Sequence, residues 1–195
     1  MPLTLPNLLT LARIAAIPPA IALFFVPADW ADWALLAVFV AAAITDWLDG
    51  YLARLRAEES AFGRFLDPIA DKLLVSALLF MLAATARLPD LAVVPAVVIL
   101  MRELLISGLR EFLAGLSLAL PVSRLAKYKT AVQMIAIALL IIGPHGTAML
   151  PLDRIGGGAL WLAGLLTVLS GWDYLVTGFR HLGQVEKSGA TRPRQ

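Results

Sequence analysis

Four aspartates stand out because they lie in a chain that is 60% hydrophobic. Asp46 and Asp49 are three positions apart and Asp67 and Asp71 are four positions apart, all within the stretch DWLDGYLARLRAEESAFGRFLDPIAD. Residues at either spacing share one face of a helix. An aspartate well inside a bilayer costs about 2.5–3.5 kcal/mol even on the insertion scale with the lowest penalties, and four carboxylates also repel one another. The sequence therefore predicts that positive groups compensate these side chains.

A divalent-metal site is the chemistry that these carboxylates favour. Gly50 follows Asp46 by four positions and Gly63 precedes Asp67 by four, which leaves room beside each pair for a ligand. Oxygen ligands without cysteine or a nearby histidine select hard cations such as Mg²⁺ or Mn²⁺. Two carboxylate pairs could hold two ions, an arrangement that clamps the attacking and leaving oxygens of a phosphoryl transfer. The alternative is a set of structural ion pairs with neighbouring cations, which are Arg54, Arg56, Arg64 and Lys72.

The composition predicts an all-α, polytopic membrane protein. Mean hydropathy is +0.83 and only 15% of the residues are charged. Several apolar runs approach the ~20 residues that a helix needs to cross the hydrocarbon. The first run, Leu8 to Val26, has no basic leader and is expected to be a retained helix. The absence of cysteine excludes disulfides and thiol nucleophiles, and a net charge of +2 gives no reason to expect a nucleic-acid partner.

We expect a single membrane domain over residues 1–182, followed by a polar tail over 183–195. Six spans are predicted at residues 8–27, 33–57, 61–86, 91–115, 124–143 and 157–180. Lysine and arginine concentrate in alternate connections and in the tail, so the positive-inside rule predicts that both termini and the aspartates face the cytosol. Trp30 and Trp33 then fit an interfacial belt on the outer side. No internal repeat is expected, the glycines at 156–158 are interpreted as a turn, and His145 and His181 as solvated residues.

The aspartate stretch resembles the signature of the CDP-alcohol phosphotransferase family, D-x-x-D-G-x-x-A-R, eight residues, then G-x-x-x-D-x-x-x-D. Every signature position is matched here, Ala53 included. The resemblance implies a six-helix membrane enzyme, usually a homodimer, that moves a phospholipid-type phosphoryl group from a CDP carrier to an alcohol. It implies metal-ligand roles for Asp46, Asp49 and Asp67, and for Asp71 the role of general base and further metal ligand. The positions that match the cytidine-diphosphate site are Asp46, Gly50, Arg54 and Gly63.

The acceptor is expected to bind to cations elsewhere in the predicted spans. Glu103, Ser107 and Arg110 fall on one helical stripe, and the segment KYKTAVQM contributes Lys127 and Lys129. Cations near a metal–phosphate centre suggest a second anionic substrate, so Arg110, Lys127 and Lys129 are predicted to bind the acceptor's phosphate. Supporting roles are expected for Glu103 and Ser107 and, in the first span, for Asn7, Thr10 and Arg13. Alternatively, Lys127 anchors anionic lipid heads, and Arg102–Glu103 and Arg110–Glu111 neutralise each other.

The segments PNLLTLAR, RELLISGLRE and KYKTAVQM resemble the bacterial branch of the family whose acceptor is glycerol 3-phosphate. That resemblance implies CDP-diacylglycerol as the donor, CMP as a product, and a bacterial inner membrane with the site facing the cytosol. A cardiolipin synthase that uses phosphatidylglycerol is the strongest alternative within the family, followed by serine or inositol-phosphate transfer. A cation transporter is the alternative of another class, because transporters also use intramembrane aspartates.

Overall fold

The computed structural model describes the backbone of residues 5–56, 61–115 and 124–190. Seven α-helices form it: α1 (Leu5–Ala15), α2 (Ile17–Leu23), α3 (Asp29–Arg56), α4 (Ala61–Ala84), α5 (Val93–Gly115), α6 (Arg124–Ile141) and α7 (Leu152–Ala190). A short 3₁₀ helix, Gly143–His145, follows α6. No strand occurs in the described ranges, so the all-α prediction is confirmed.

The first apolar run forms two helices where one was predicted. The sequence IPPAIAL places Pro18 and Pro19 in the first turn of α2. Proline has no amide hydrogen and disfavours helical conformation in the preceding residue, whereas its fixed φ suits the first turn of a new helix. The chain therefore ends α1 at Ala15 and starts again at Ile17.

The helices surround one main apolar core. α1 packs against α3 and α4, α7 packs against α5 and α6, and α4 contacts both α5 and α6. The core side chains are almost completely buried and come mainly from α3 to α7, with Ala20 of α2 added; they include Leu35, Leu78, Ile99, Ile137 and Leu160. A smaller cluster of Ile106, Leu113 and Tyr174 joins α5 to α7. The packing thus holds α3 and α4, which carry the aspartates, against α1 on one side and α5 and α6 on the other.

Glycines spaced by seven residues line the face of α7 that contacts α5. A methyl group added at Gly164, Gly171 or Gly178 would lie 2.8–3.1 Å from a side-chain carbon of Pro95, Arg102 or Leu109, respectively, three residues that are also spaced by seven. The residue numbers of the contacting positions increase together along α5 and α7, so the two helices run in the same direction. Small residues at such positions let helix backbones approach closely. The glycine spacing is therefore a packing feature of the α5–α7 contact.

The glycines at 156–158 lie inside α7, so the prediction of a turn is wrong. Gly156 and Gly157 are buried, and an added methyl group would lie 2.9 Å from Cγ of Leu140 at the first and 2.5 Å from Cγ of Pro89 at the second. Their role is close packing at the start of α7. The helix then continues through Ala190, into the segment predicted as a polar tail.

An ion-pair cluster, here called the end cluster, lies at the end of α3 remote from the aspartates. Asp32 is buried and its two carboxylate oxygens contact Arg87 Nη1 at 2.5 Å and His145 Nε2 at 3.1 Å. Arg87 also donates to the carbonyl of Ile141 at 3.3 Å, and the ring of His145 stacks on Trp33. The expectation that His145 is simply solvated is therefore wrong.

One helix among the described residues, Leu152–Gly178, is long and apolar enough by length and composition to cross a membrane. Several of the other helices carry charged side chains within their apolar stretches, as α5 does with Arg102, Glu103 and Arg110. The six predicted spans and their orientation therefore remain predictions.

Candidate active site

Arg13 supplies a positive partner for Asp46. It follows Asn7 and Thr10 at intervals of three on α1, and all three side chains are buried where α1 packs against α3 and α4. Arg13 Nη1 lies 2.7 Å from Asp46 Oδ1, and the arginine side chain is only 1% exposed while that of Asp46 is 46% exposed. The ion pair compensates one aspartate and leaves much of its carboxylate accessible to a ligand.

The aspartate motif lies only partly within the described residues. α3 carries Asp46 and Asp49 and α4 carries Asp67 and Asp71, but the side chains of Asp49, Asp67 and Arg54 and the surroundings of Gly50 lie outside the described part. Gly63 is buried within α4. Among the described residues, no group of three or more histidine, aspartate or glutamate side chains could hold a metal ion. The accessible Asp46 carboxylate fits the oxygen donors of a hard cation, and the ligand set as a whole stays a prediction.

Lys72, one of the cations that could neutralise the aspartates, turns back along its own helix. Its Nζ donates to the backbone carbonyl oxygen of Pro68 at 2.8 Å. Pro68 lies inside α4 between Asp67 and Asp71 and has no amide hydrogen to donate to the preceding turn. The helix is therefore locally weakened at Pro68, one turn before Asp71 in the chain.

A cationic cavity of about 520 Å³ lies between α5, α6 and α7. It brings together Arg110, Lys127 and Lys129, the three residues predicted to bind the acceptor's phosphate, and adds Arg102. Glu103 is the one acidic residue among the described side chains that line it, so four described cations share the cavity with one described carboxylate. The other lining residues are Ile106, Ala126, Thr130, Ala131 and Tyr174. Such a concave, net positive space suits a phosphate-bearing ligand.

Lys129 is buried and forms an ion pair with Glu103. Glu103 is also 3.8 Å from Arg102 Nη1, so the predicted Arg102–Glu103 pair exists but is the longer of the two. A buried ammonium group needs a partner to offset its lost hydration. Glu103 therefore holds Lys129 in place inside the cationic cavity.

A small cavity of about 40 Å³ lies between the cationic cavity and Asp71. Glu103, Lys129 and Thr130 line both cavities, which makes them neighbours. Gln133, also in its wall, is 3% exposed, and its Oε1 has no hydrogen-bond partner among the described residues. Buried polar atoms without a partner are rare in proteins. The small cavity thus offers a hydrogen-bond acceptor close to the Asp71 carboxylate.

Arg102, Gln133 and Tyr174 were not among the predicted site residues, and Ser107, which was, lines neither cavity. Gln133 belongs to the segment KYKTAVQM and follows Lys129 by four positions on α6, so the two residues share one helical face. Arg102 lies opposite Gly171, its guanidinium carbon is 5.6 Å from the centre of the Tyr174 ring, and Nη2 donates to Ser170 Oγ at 3.2 Å. No signal in the sequence alone links Arg102 to Gly171, because the contact depends on how α5 packs against α7.

Comparisons with known proteins identify the family of the chain. The family model described as CDP-alcohol phosphatidyltransferase matches residues 3–169. The chain is 46% identical over 170 residues to a protein of Rickettsia bellii, with 87% of this chain and 92% of that protein covered. A Cereibacter sphaeroides protein is 36% identical over 207 residues, with 88% and 93% covered, and a Pseudomonas fluorescens protein is 42% identical over 183 residues, with 92% of each covered. Each of the three is named CDP-diacylglycerol–glycerol-3-phosphate 3-phosphatidyltransferase. This chain belongs to the CDP-alcohol phosphatidyltransferase family.

Proposed function

We propose that the protein transfers the phosphatidyl group of CDP-diacylglycerol to glycerol 3-phosphate, giving phosphatidylglycerophosphate and CMP. The observation that carries this proposal is the cationic cavity beside the small cavity that Asp71 lines. A phosphate-bearing alcohol held by Arg110, Lys127 and Lys129 would direct its free hydroxyl toward that carboxylate. The names of the relatives support the same pair of substrates.

The donor is proposed to bind at the aspartate motif. Asp46, Asp49, Asp67 and Asp71 would hold two Mg²⁺ or Mn²⁺ ions, which supply charge neutralisation for the diphosphate. Gly50 and Gly63 would admit the nucleotide close to the helix backbones, and Arg54 would stabilise the charge of the departing CMP. Arg13 would orient Asp46, since it contacts one of the two carboxylate oxygens.

The chemical step needs no covalent intermediate on the protein. Asp71 accepts the proton of the primary hydroxyl of glycerol 3-phosphate, and that oxygen forms a bond to the phosphorus nearer the diacylglycerol. The bond from this phosphorus to the oxygen it shares with the cytidine-bearing phosphate breaks, and CMP leaves with the electron pair. Positioning and charge neutralisation carry the catalysis. Lys129, kept in place by Glu103, binds the acceptor during this step.

The setting that we propose is a bacterial inner membrane, crossed six times, with both termini and the site on the cytosolic side. Large apolar side chains such as Phe80, Met101, Trp161 and Leu162 are about half exposed or more, as expected for a surface in contact with lipid. A homodimer, implied by the family resemblance, completes the proposal. Its test is the mass of the purified protein in detergent.

The experiment that tests the function is an acceptor panel on the purified protein. CMP release is followed with CDP-diacylglycerol, Mg²⁺ or Mn²⁺, and in turn glycerol 3-phosphate, phosphatidylglycerol, serine and inositol phosphate. We expect release with glycerol 3-phosphate alone, abolished by EDTA and by Asp71→Asn. Release only with phosphatidylglycerol would indicate a cardiolipin synthase, and no release from folded protein would contradict the enzyme and favour a transporter.

A further inference from the structure

An apolar groove of about 680 Å³ lies on the surface between α5 and α7. Its walls include Met101, Leu104, Leu105, Val168 and Trp172, each more than half exposed. An exposed apolar surface of this kind marks contact with a membrane, a ligand or another protein. The groove is long enough along α5 to include Val98 and Ile106, two helical turns apart.

Among the residues that the structure describes, Arg102 is the only charged one that lines the groove. Its side chain is 13% exposed, and its contacts leave the guanidinium incompletely satisfied. Nη2 donates to Ser170, Nη1 is 3.8 Å from Glu103, and the buried Nε has no hydrogen-bond partner among the described residues. Leaving a buried donor unpaired is costly, and more so when the group is charged. A guanidinium with free donors matches the oxygens of a phosphate group.

The same arginine joins the groove to the cationic cavity. Arg102 and Ile106 line both spaces. The aliphatic part of Arg102 fits between the helices because Gly171 has no side chain there, and an added methyl group would lie 3.1 Å from its Cγ and 3.3 Å from Nε. The guanidinium is thus fixed at the boundary between an apolar surface and a net positive cavity. A ligand that complements both must carry an apolar chain and a negative group.

We propose that the groove and Arg102 form a binding site for an anionic glycerophospholipid, with one acyl chain in the groove and its phosphate at Arg102. The proposal rests on the proposed function only for the membrane that supplies the lipid. Two other occupants fit less well. A free phosphate would leave the apolar groove exposed. A second copy of the chain would have to place an acidic side chain against the Arg102 guanidinium. A lipid head held there borders the acceptor cavity, so the anionic lipid content of the membrane would affect the acceptor's access.

Trp172 in the groove wall provides a direct test, because brominated acyl chains quench tryptophan fluorescence on contact. The full-length protein is placed in phosphatidylcholine vesicles that contain brominated phosphatidylglycerol or, separately, brominated phosphatidylcholine, and Trp172→Phe defines the share of Trp172 in the signal. We expect the anionic lipid to quench Trp172 at about fivefold lower mole fraction than the neutral one. The preference should disappear in Arg102→Gln and persist in Arg154→Gln, which removes an exposed cation near the start of α7.

Quenching needs no turnover, so this result and the outcome of the acceptor panel are separable. Equal quenching by the two lipids, or an unchanged preference in Arg102→Gln, would overturn the proposal. Shielding of Trp172 from both lipids would overturn it in favour of a second copy over the groove. If Arg102→Gln does not fold, Val168→Phe narrows the groove from an exposed position. Undiminished quenching by brominated phosphatidylglycerol in that variant would refute the site.

Discussion

At the scale of single residues, the candidate site depends on how buried charges are balanced. Arg13 is almost inaccessible and contacts a carboxylate that is nearly half exposed, so the pair presents Asp46 to the space beside it. Lys129 and Glu103 repeat the arrangement, because here too the buried group is the cation and the carboxylate is the more exposed partner. In both pairs the ion-pair contact fixes the position of the two side chains. The charge that a ligand meets therefore depends on both members of the pair.

Arg13→Gln should impair the reaction by loosening Asp46. Residues that orient a metal ligand typically change metal affinity or activity by about 10–100-fold when they are replaced, and we expect the Mn²⁺ concentration for half-maximal CMP release to rise within that range. Arg13→Lys should recover part of the loss because it keeps the charge. Direct titration of Mn²⁺ by electron paramagnetic resonance separates this role from a general loss of fold. Unchanged Mn²⁺ binding in Arg13→Gln would contradict it.

Lys129→Gln should weaken binding of the acceptor and spare the donor. A hydrogen bond to a charged group is worth about 1.5–3 kcal/mol, so the KM for glycerol 3-phosphate is expected to rise about tenfold or more. The KM for CDP-diacylglycerol should stay near its original value, because that lipid is proposed to bind at the aspartates. Steady-state kinetics with each substrate varied in turn is the measurement. Equal increases in both KM values would show that Lys129 does not distinguish the two substrates.

At the scale of helices, the contact between α5 and α7 determines where Arg102 lies. The glycines of α7 have partners of different shape, which are the rigid ring of Pro95, the long side chain of Arg102 and the branched side chain of Leu109. A flexible partner side chain can move away from an added methyl group, but a rigid one cannot. We therefore expect an added methyl group to be excluded at the glycine that contacts Pro95. Gly158, one residue outside this stripe, has no atom within 4 Å of the space that a methyl group would occupy.

Gly164→Ala and Gly158→Ala therefore form a matched pair in one helix. The first places a methyl group 2.8 Å from Cβ of Pro95, and overpacking of this kind costs about 1–3 kcal/mol. The second should leave stability unchanged or raise it, since alanine in a helix is favoured over glycine by up to about 1 kcal/mol. Thermal unfolding of both variants in the same detergent gives the comparison. Similar melting temperatures would argue against the close contact.

The helices could be predicted from the sequence because each apolar run is long and bounded by polar residues, proline or glycine. Their contacts could not, because whether Gly157 is a turn residue or a packing residue depends on Pro89, which lies 68 positions earlier in the chain. The same holds for His145, whose partner Asp32 is 113 positions away. The four aspartates could be singled out because each pair has helical spacing within one short segment, and their predicted roles follow from the family resemblance. Arg102 was missed because its significance appears only when α7 is placed beside α5.

At the scale of the whole molecule, the two ends of the helix bundle carry different groups of charged residues. The candidate site occupies one end, and the end cluster of Asp32, Arg87 and His145 occupies the other. This cluster joins α3 to the segments that follow α4 and α6, and Arg87 also lies over the ring of Phe24 just after α2. Its contacts therefore connect most of the chain at the end away from the aspartates, and its expected contribution is to stability.

Asp32→Asn should destabilise the protein without altering its substrate constants. Removing one member of a buried ion pair costs about 3–5 kcal/mol because the other charge remains buried, and here Arg87 and His145 would both lose a partner. Asp29→Asn is the matched control, since Asp29 lies in the same first turn of α3 and is exposed; a surface change of this kind stays within about 0.5 kcal/mol.

The measurement is thermal unfolding of Asp32→Asn, Arg87→Met and the double variant, combined with KM values for both substrates. Removing both charges should cost less than the sum of the single changes, because residues in one ion-pair network are coupled by about 0.5–3 kcal/mol. Additive losses would show that the 2.5 Å contact contributes nothing specific. A change in either KM at temperatures well below unfolding would show instead that the two ends of the bundle communicate.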